Sequence, residues 1–83
     1  MEESKIMIYY GNRIIMYPVS SSHIEEVGYD SSIETVFVRF KNNSLYIYKG
    51  VCESEFENLR TASSVGAYLR QYYMDNYPYE KIE

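Results

Sequence analysis

Eighty-three residues leave room for one domain and one modest core, and 8 Lys+Arg against 12 Asp+Glu give a net charge of −4. A chain this short buries only roughly 60% of its unfolded surface, and the lone Cys52 excludes a disulfide or a CxxC-type zinc site as support. The acidic balance disfavours RNA and other long polyanions, whose affinity comes largely from neutralised phosphates, yet it allows a local pocket of two or three cations. Apolar runs fall far short of a membrane span. A single thiol and the lack of a charged-then-apolar leader lead us to expect a cytoplasmic protein with no membrane contact.

Eleven tyrosines and no tryptophan stand out. Aromatic rings fit pleated surfaces, so strand filling accounts for most of them. Their enrichment at interfaces and base-stacking surfaces leaves a minority as functional candidates.

In chain order, Ile6 to Tyr10 and Arg13 to Tyr17 flank Gly11-Asn12, which predicts a hairpin within residues 1–18. Both runs are apolar with little alternation, as expected for burial on two sides or an oligomer contact. Pro18 ends the second strand by removing a donor. A third strand follows from His23 to Tyr29, where Gly28 suggests a bulge. The segment from Ile33 to Phe40 alternates most clearly, with Val36, Val38 and Phe40 opposite Thr35, Phe37 and Arg39. Asn42-Asn43 then turns the chain into a strand over residues 44–49.

That turn leaves two registers open. A two-residue loop pairs Arg39 with Tyr46 and gathers Phe37, Arg39, Tyr46 and Tyr48 into an aromatic-basic surface. A loop one residue longer buries Tyr46 and Tyr48 with Val36, Val38 and Phe40, and this is the preferred arrangement.

Beyond Gly50 the period changes. Residues 53–62 read as a helix with Phe56 and Leu59 inward and Glu53, Glu55 and Glu57 solvated; their spacing of two does not make a metal cluster. A second helix opens at Ser63 or Ser64, with Val65, Leu69, Tyr72 and Tyr73 along its apolar stripe. Tyr77-Pro78-Tyr79 reads as an extended tail. The expected fold is thus α+β: an N-terminal hairpin over residues 1–18, then a unit over residues 19–83 in which a three-stranded antiparallel meander is packed by two C-terminal helices.

From Val19 onward the residue order resembles the KTSC domain family, known from the C-terminus of some lysyl-tRNA synthetases and from small bacterial and phage proteins. The matching pieces are Ser21-Ser22-His23-Ile24, Val27-Gly28-Tyr29-Asp30, Val36, Val38 and Phe40, then Tyr46-Ile47-Tyr48 for the family's Tyr-x-Tyr signature. Gly50-Val51, Ser64-x-Gly66-x-Tyr68 and Tyr77-Pro78-Tyr79 complete them. The resemblance implies the strand-strand-strand-helix-helix core and a suggested RNA-binding role. Three departures matter: Cys52 replaces a usual proline, Arg70 a usual asparagine, and Tyr72 to Asn76 a stretch often rich in cations. The last of these counts against RNA.

Phe37 and Ile47 stand where relatives carry polar residues. Together with the extra hairpin they imply an apolar face that the hairpin covers, within a chain or between chains. A homo-oligomer is the preferred version, with Ile6, Ile8, Ile14, Met16, Phe37 and Ile47 at its interface.

Catalysis finds no pattern: His23 is the only histidine and has no acid at a recognisable spacing. A lone cysteine is ordinarily a small buried hydrophobe, so Cys52 is assigned to packing. The best ligand candidate is the start of the second helix, where free backbone donors favour anions. Ser64 and Gly66 would seat a phosphate or carboxylate, with Arg70 pairing, Tyr68 stacking, and Arg39, Tyr46 and Tyr48 joining from the sheet. Plain helix capping, with Gly66 easing helix–sheet packing, is the competing and preferred account. The expected function is non-enzymatic binding of a nucleotide-like anion, without cofactor or metal, as in a phage protein sequestering a nucleotide signal in the host cytoplasm. RNA or protein interaction, as in synthetase-appended domains, is the alternative.

Overall fold

The computed structural model describes residues 4–83. Strands β1 (Lys5–Tyr9), β2 (Asn12–Pro18), β3 (Ile24–Asp30), β4 (Thr35–Phe40) and β5 (Leu45–Lys49) precede helices α1 (Glu53–Arg60) and α2 (Val65–Tyr72), and β6 (Tyr79–Lys81) ends the order. All strands form one antiparallel sheet in sequence order. The predicted hairpin and meander are therefore a single sheet, and the stretch read as a tail supplies its sixth strand.

The first turn is Tyr10-Gly11, one residue earlier than the predicted Gly11-Asn12. Both residues have positive φ, 49° and 82°, and Tyr9 pairs with Asn12 across the turn. This primed-type turn has the twist that matches right-handed strands.

The β4–β5 loop is the longer of the two expected. Phe40 N–H donates to the Ser44 carbonyl at 2.8 Å, and Asn43 takes positive φ at 73°. Arg39 consequently pairs with Leu45, Val38 with Tyr46 and Val36 with Tyr48. Tyr46 and Tyr48 thus share the helix-covered face with Val36 and Val38, and Arg39 points to the other face.

Each face of the sheet carries a core. On one side α1 and α2 cover Val27, Val36, Val38 and Tyr48 with Phe56, Leu59, Leu69 and Tyr73. On the other, Ile14, Met16, Phe37, Leu45 and Ile47 bury one another, with Met7, Tyr9 and Ile82 packed around them. The sheet curls about this second core until β1 and β6 flank it. The rings of Tyr9 and Phe37 meet edge-on with centroids 4.9 Å apart.

This corrects the assignment of the apolar surface. Ile14, Met16, Phe37 and Ile47, assigned to an interface between chains, are covered by the chain itself and are at most 2% exposed. Ile6 and Ile8 remain 64% and 62% exposed.

Gly28 marks no bulge in the sheet. The irregularity lies between Ile24 and Glu26 instead. Gly28 sits between Met16 and Phe37 in a cross-strand row. A Cβ there would lie 2.8 Å from the Ile15 carbonyl oxygen and closer still to the Met16 sulfur. Met16 fills the space over the glycine, and strands β2 and β3 approach too closely to admit a methyl group.

Gly28→Ala is expected to destabilise the fold by about 1–3 kcal/mol, the usual cost of forcing a methyl into a packed site. A lower urea midpoint at unchanged m-value would show it; an unchanged midpoint would mean that the sheet opens freely at this point.

Candidate functional site

The start of α2 is capped as its sequence requires. Ser64 is the N-cap, and its hydroxyl oxygen accepts from the Ala67 N–H at 3.3 Å. That hydroxyl is engaged in capping and does not line a cleft. Gly66 and Arg70, one helical turn apart, share the face turned toward the strand ends. A Cβ on Gly66 would meet only Ser21 Oγ at 3.6 Å and the Arg70 guanidinium at 3.8 Å, both ordinary contacts. Tight helix–sheet packing therefore does not account for this glycine.

Beside Gly66 and Arg70 lies a cleft of about 550 Å³. Ser22, His23, Lys41 and Asn42 line its polar wall, while Ile24, Phe40, Leu69 and Met74 supply its apolar one. A backbone hydrogen bond from Lys41 N–H to the His23 carbonyl, 2.8 Å long, pins these two residues side by side. His23, Lys41 and Arg70, from three segments, thus line one apolar-floored space. Among the described residues, the ion pairs are Arg39–Glu83, Lys49–Glu80 and Arg60–Glu57, so Arg70 and Lys41 take part in none of them.

The remaining residues expected here are dispersed. Tyr68, two positions from Arg70 and so on another flank of the helix, donates its hydroxyl to the Glu55 carboxylate at 2.7 Å. It packs on Tyr72 with ring centroids 4.5 Å apart. Arg39 lies across the sheet, bonded to Glu83 Oε1 at 2.6 Å and to the Asn43 carbonyl at 2.9 Å. Tyr48 is buried edge-on against Tyr73, centroids 5.6 Å apart. Tyr46 is half-buried beside Phe40 at 5.3 Å. The structure brings Gly66 and Arg70 together, and it adds His23 and Lys41, which sequence reasoning left out of the site. His23 lies in the Ser-Ser-His-Ile piece quoted for the resemblance, which was the available signal.

Cys52 is also corrected. It is exposed, not buried, and it forms the N-cap of α1. The hydrogen bond with Ser54 Oγ, 3.3 Å away, lowers its thiol pKa, and backbone N–H donation from Glu55 adds to this. Among the described residues no group of three or more His, Cys, Asp and Glu is placed to hold a metal. No helix among them is long and apolar enough to cross a membrane.

Burial dominates the behaviour of the core phenols. Desolvation pushes Tyr48 up to about 12. Desolvation, followed by the hydrogen bond to Glu55, pushes Tyr68 up to about 12. Tyr73 is raised as well, mainly by burial, and its hydroxyl donates to the Glu55 carbonyl at 3.3 Å.

Comparison with known proteins agrees with this architecture. The KTSC domain profile matches residues 20–77. A protein of Tsukamurella paurometabola is 37% identical over 54 residues, 65% of this chain and 81% of that one. The crystal structure of a KTSC domain protein from Yersinia pestis matches with a TM-score of 0.79 at 30% identity, covering 84% of this chain and 99% of the other.

Two outcomes follow from this geometry. Gly66→Ala is expected to raise stability by about 0.5–1 kcal/mol, the helix preference of alanine over glycine, because its methyl meets no close neighbour. A lower denaturation midpoint would instead assign Gly66 to packing. The native state also keeps protons on Tyr48 and Tyr68 that the unfolded chain releases near pH 10. Stability should therefore be insensitive to these groups below pH 10 and fall as pH rises from 10 toward about 12. Urea midpoints measured alongside tyrosinate absorbance would reveal this, and phenols all titrating near 10 before unfolding would contradict it.

Proposed function

This chain belongs to the KTSC domain family, and we propose that it is a non-enzymatic binding protein whose cleft between α2 and the β3–β4 end of the sheet takes a nucleotide-like anion. One observation carries the reading: Arg70, Lys41 and His23 converge on a space floored by Phe40, Leu69 and Met74. A cation cluster in a chain of net charge −4 concentrates anion affinity locally, and few convergent polar groups over an apolar lining suit a small-molecule site. A guanidinium gives a phosphate bidentate, charge-assisted bonds, each worth roughly 1.5–3 kcal/mol. The apolar floor accommodates the flat face of a base. No pair of groups at the cleft forms a nucleophile with its base, so the chemistry on offer is capture.

The overall acidity argues against long RNA, which would need an extended cationic track.

A thermal-shift screen of nucleoside mono- and diphosphates should give a hit whose affinity falls about tenfold in Arg70→Ala, or roughly 1.4 kcal/mol. Lys41→Ala should act in the same direction. Tyr68→Phe, on the other flank of α2, should leave affinity unchanged. A hit indifferent to both Arg70 and Lys41 would place the ligand elsewhere. Sub-micromolar binding of transfer RNA with a steep salt slope would replace the nucleotide reading with an RNA one.

A further inference from the structure

The cleft does not end at Met74. Phe40, Asn42 and Met74 also line a second chamber of about 540 Å³, which continues over the β5–β6 surface. Its own walls are Ser44, Tyr46, Tyr48, Asp75, Tyr79 and Lys81. Each chamber alone has the size of a small-ligand pocket. The two chambers adjoin across Phe40, Asn42 and Met74, and they differ in charge.

The first chamber holds only positive or neutral side chains among its lining residues: His23, Lys41 and Arg70 against Ser22 and Asn42. The second sets the Asp75 carboxylate against the Lys81 ammonium and adds the rings of Tyr46 and Tyr79. Those rings are 6.2 Å apart and tilted by 36°, and Tyr79 is 58% exposed. A phosphate dianion suits the first chamber and is repelled by Asp75 in the second. A nucleoside suits the second, where Tyr79 offers a free aromatic surface and Asp75 can accept from sugar hydroxyls or an exocyclic amine.

We infer that the two chambers form one site for a 5′-phosphorylated dinucleotide: its terminal phosphate lies among Lys41, Arg70 and His23, and its second nucleoside against Tyr79 and Asp75. The inference rests on the nucleotide reading above and deepens it by assigning the ligand's length and the chamber that each of its ends takes. The strand order supplies both halves, because Lys81 pairs with Tyr46 across the β5–β6 ladder while Phe40 stands edge-on to Tyr46 where the chambers adjoin.

Isothermal titration of the full chain with adenosine monophosphate, 5′-phosphorylated diadenylate and diadenosine monophosphate lacking the 5′-phosphate tests this. The phosphorylated dinucleotide should bind about tenfold or more tighter than the mononucleotide, in line with one added stacked base, and tighter by a similar factor than the dinucleotide without the 5′-phosphate, which forgoes the charge-assisted contacts of the first chamber. Tyr79→Ala should remove that gain and leave the mononucleotide unaffected. Tyr79→Leu, which keeps bulk and an apolar β6 residue, should give the same loss if the ring is what counts. A mononucleotide that binds as tightly as the dinucleotide would overturn the two-chamber site and leave the nucleotide reading standing. Affinity that keeps rising with longer oligoadenylates would overturn it in favour of an open single-strand track. Failure of all three compounds to bind would overturn both readings together.

Discussion

Strands β2 and β3 come together over Gly28 more closely than a Cβ allows, and the core on that face closes where Ile14 and Met16 pack over the glycine. The sheet curls strongly enough for the β1–β2 hairpin to swing across Phe37 and Ile47. The second core then closes on Ile14, Met16 and Leu45. Without the curl, Phe37 and Ile47 would form an apolar sheet face in need of a partner. An 83-residue chain has little surface to bury, so covering both faces of one sheet is an efficient use of it.

The second core also disposes of Arg39. Its guanidinium reaches Glu83 and the Asn43 carbonyl, and it lies 3.9 Å from the Met7 sulfur. That position is across the sheet from α2, where Arg39 serves the closure of the curl. Arg70 differs because the strand ends beside it carry Lys41 and His23 instead of an acid. Two arginines in one acidic chain thus have different surroundings, set by which face of the sheet each one meets.

On the helix face, tyrosine bridges apolar packing and polar anchoring. Tyr29 stacks on Phe56 at 5.2 Å and donates to the Val51 carbonyl at 2.6 Å. Tyr73 contacts Tyr48, Tyr68 and Tyr77 while its hydroxyl reaches α1. Each ring contributes buried area, and the hydroxyl avoids an unpaired polar group by bonding at the rim. Tyr79 differs from these: it packs on Tyr46 and Tyr48 and is 58% exposed.

Local pattern alone determined much of this protein. The alternation of Val36, Val38 and Phe40 against Phe37 and Arg39 specified a two-faced central strand, because side chains in a strand point to opposite sides in turn. Ser64 before an apolar stripe marked the start of α2, because a hydroxyl there satisfies an otherwise free N–H. The resemblance located the family from short pieces scattered over most of the chain. Tertiary structure decided the rest. One residue of loop length between Phe40 and Leu45 chose which face Tyr46 and Tyr48 occupy, and a local sequence of polar turn residues tolerates either length. Strand β6 is three residues long, too short for periodicity to mark, and exists because β5 offers it an edge. The candidate site divided for the same reason: Gly66 and Arg70 stay together because helix spacing is a local property. Whether Arg39, Tyr68, Lys41 or His23 joins them depends on which strand end the helix packs against, and only the folded sheet fixes that.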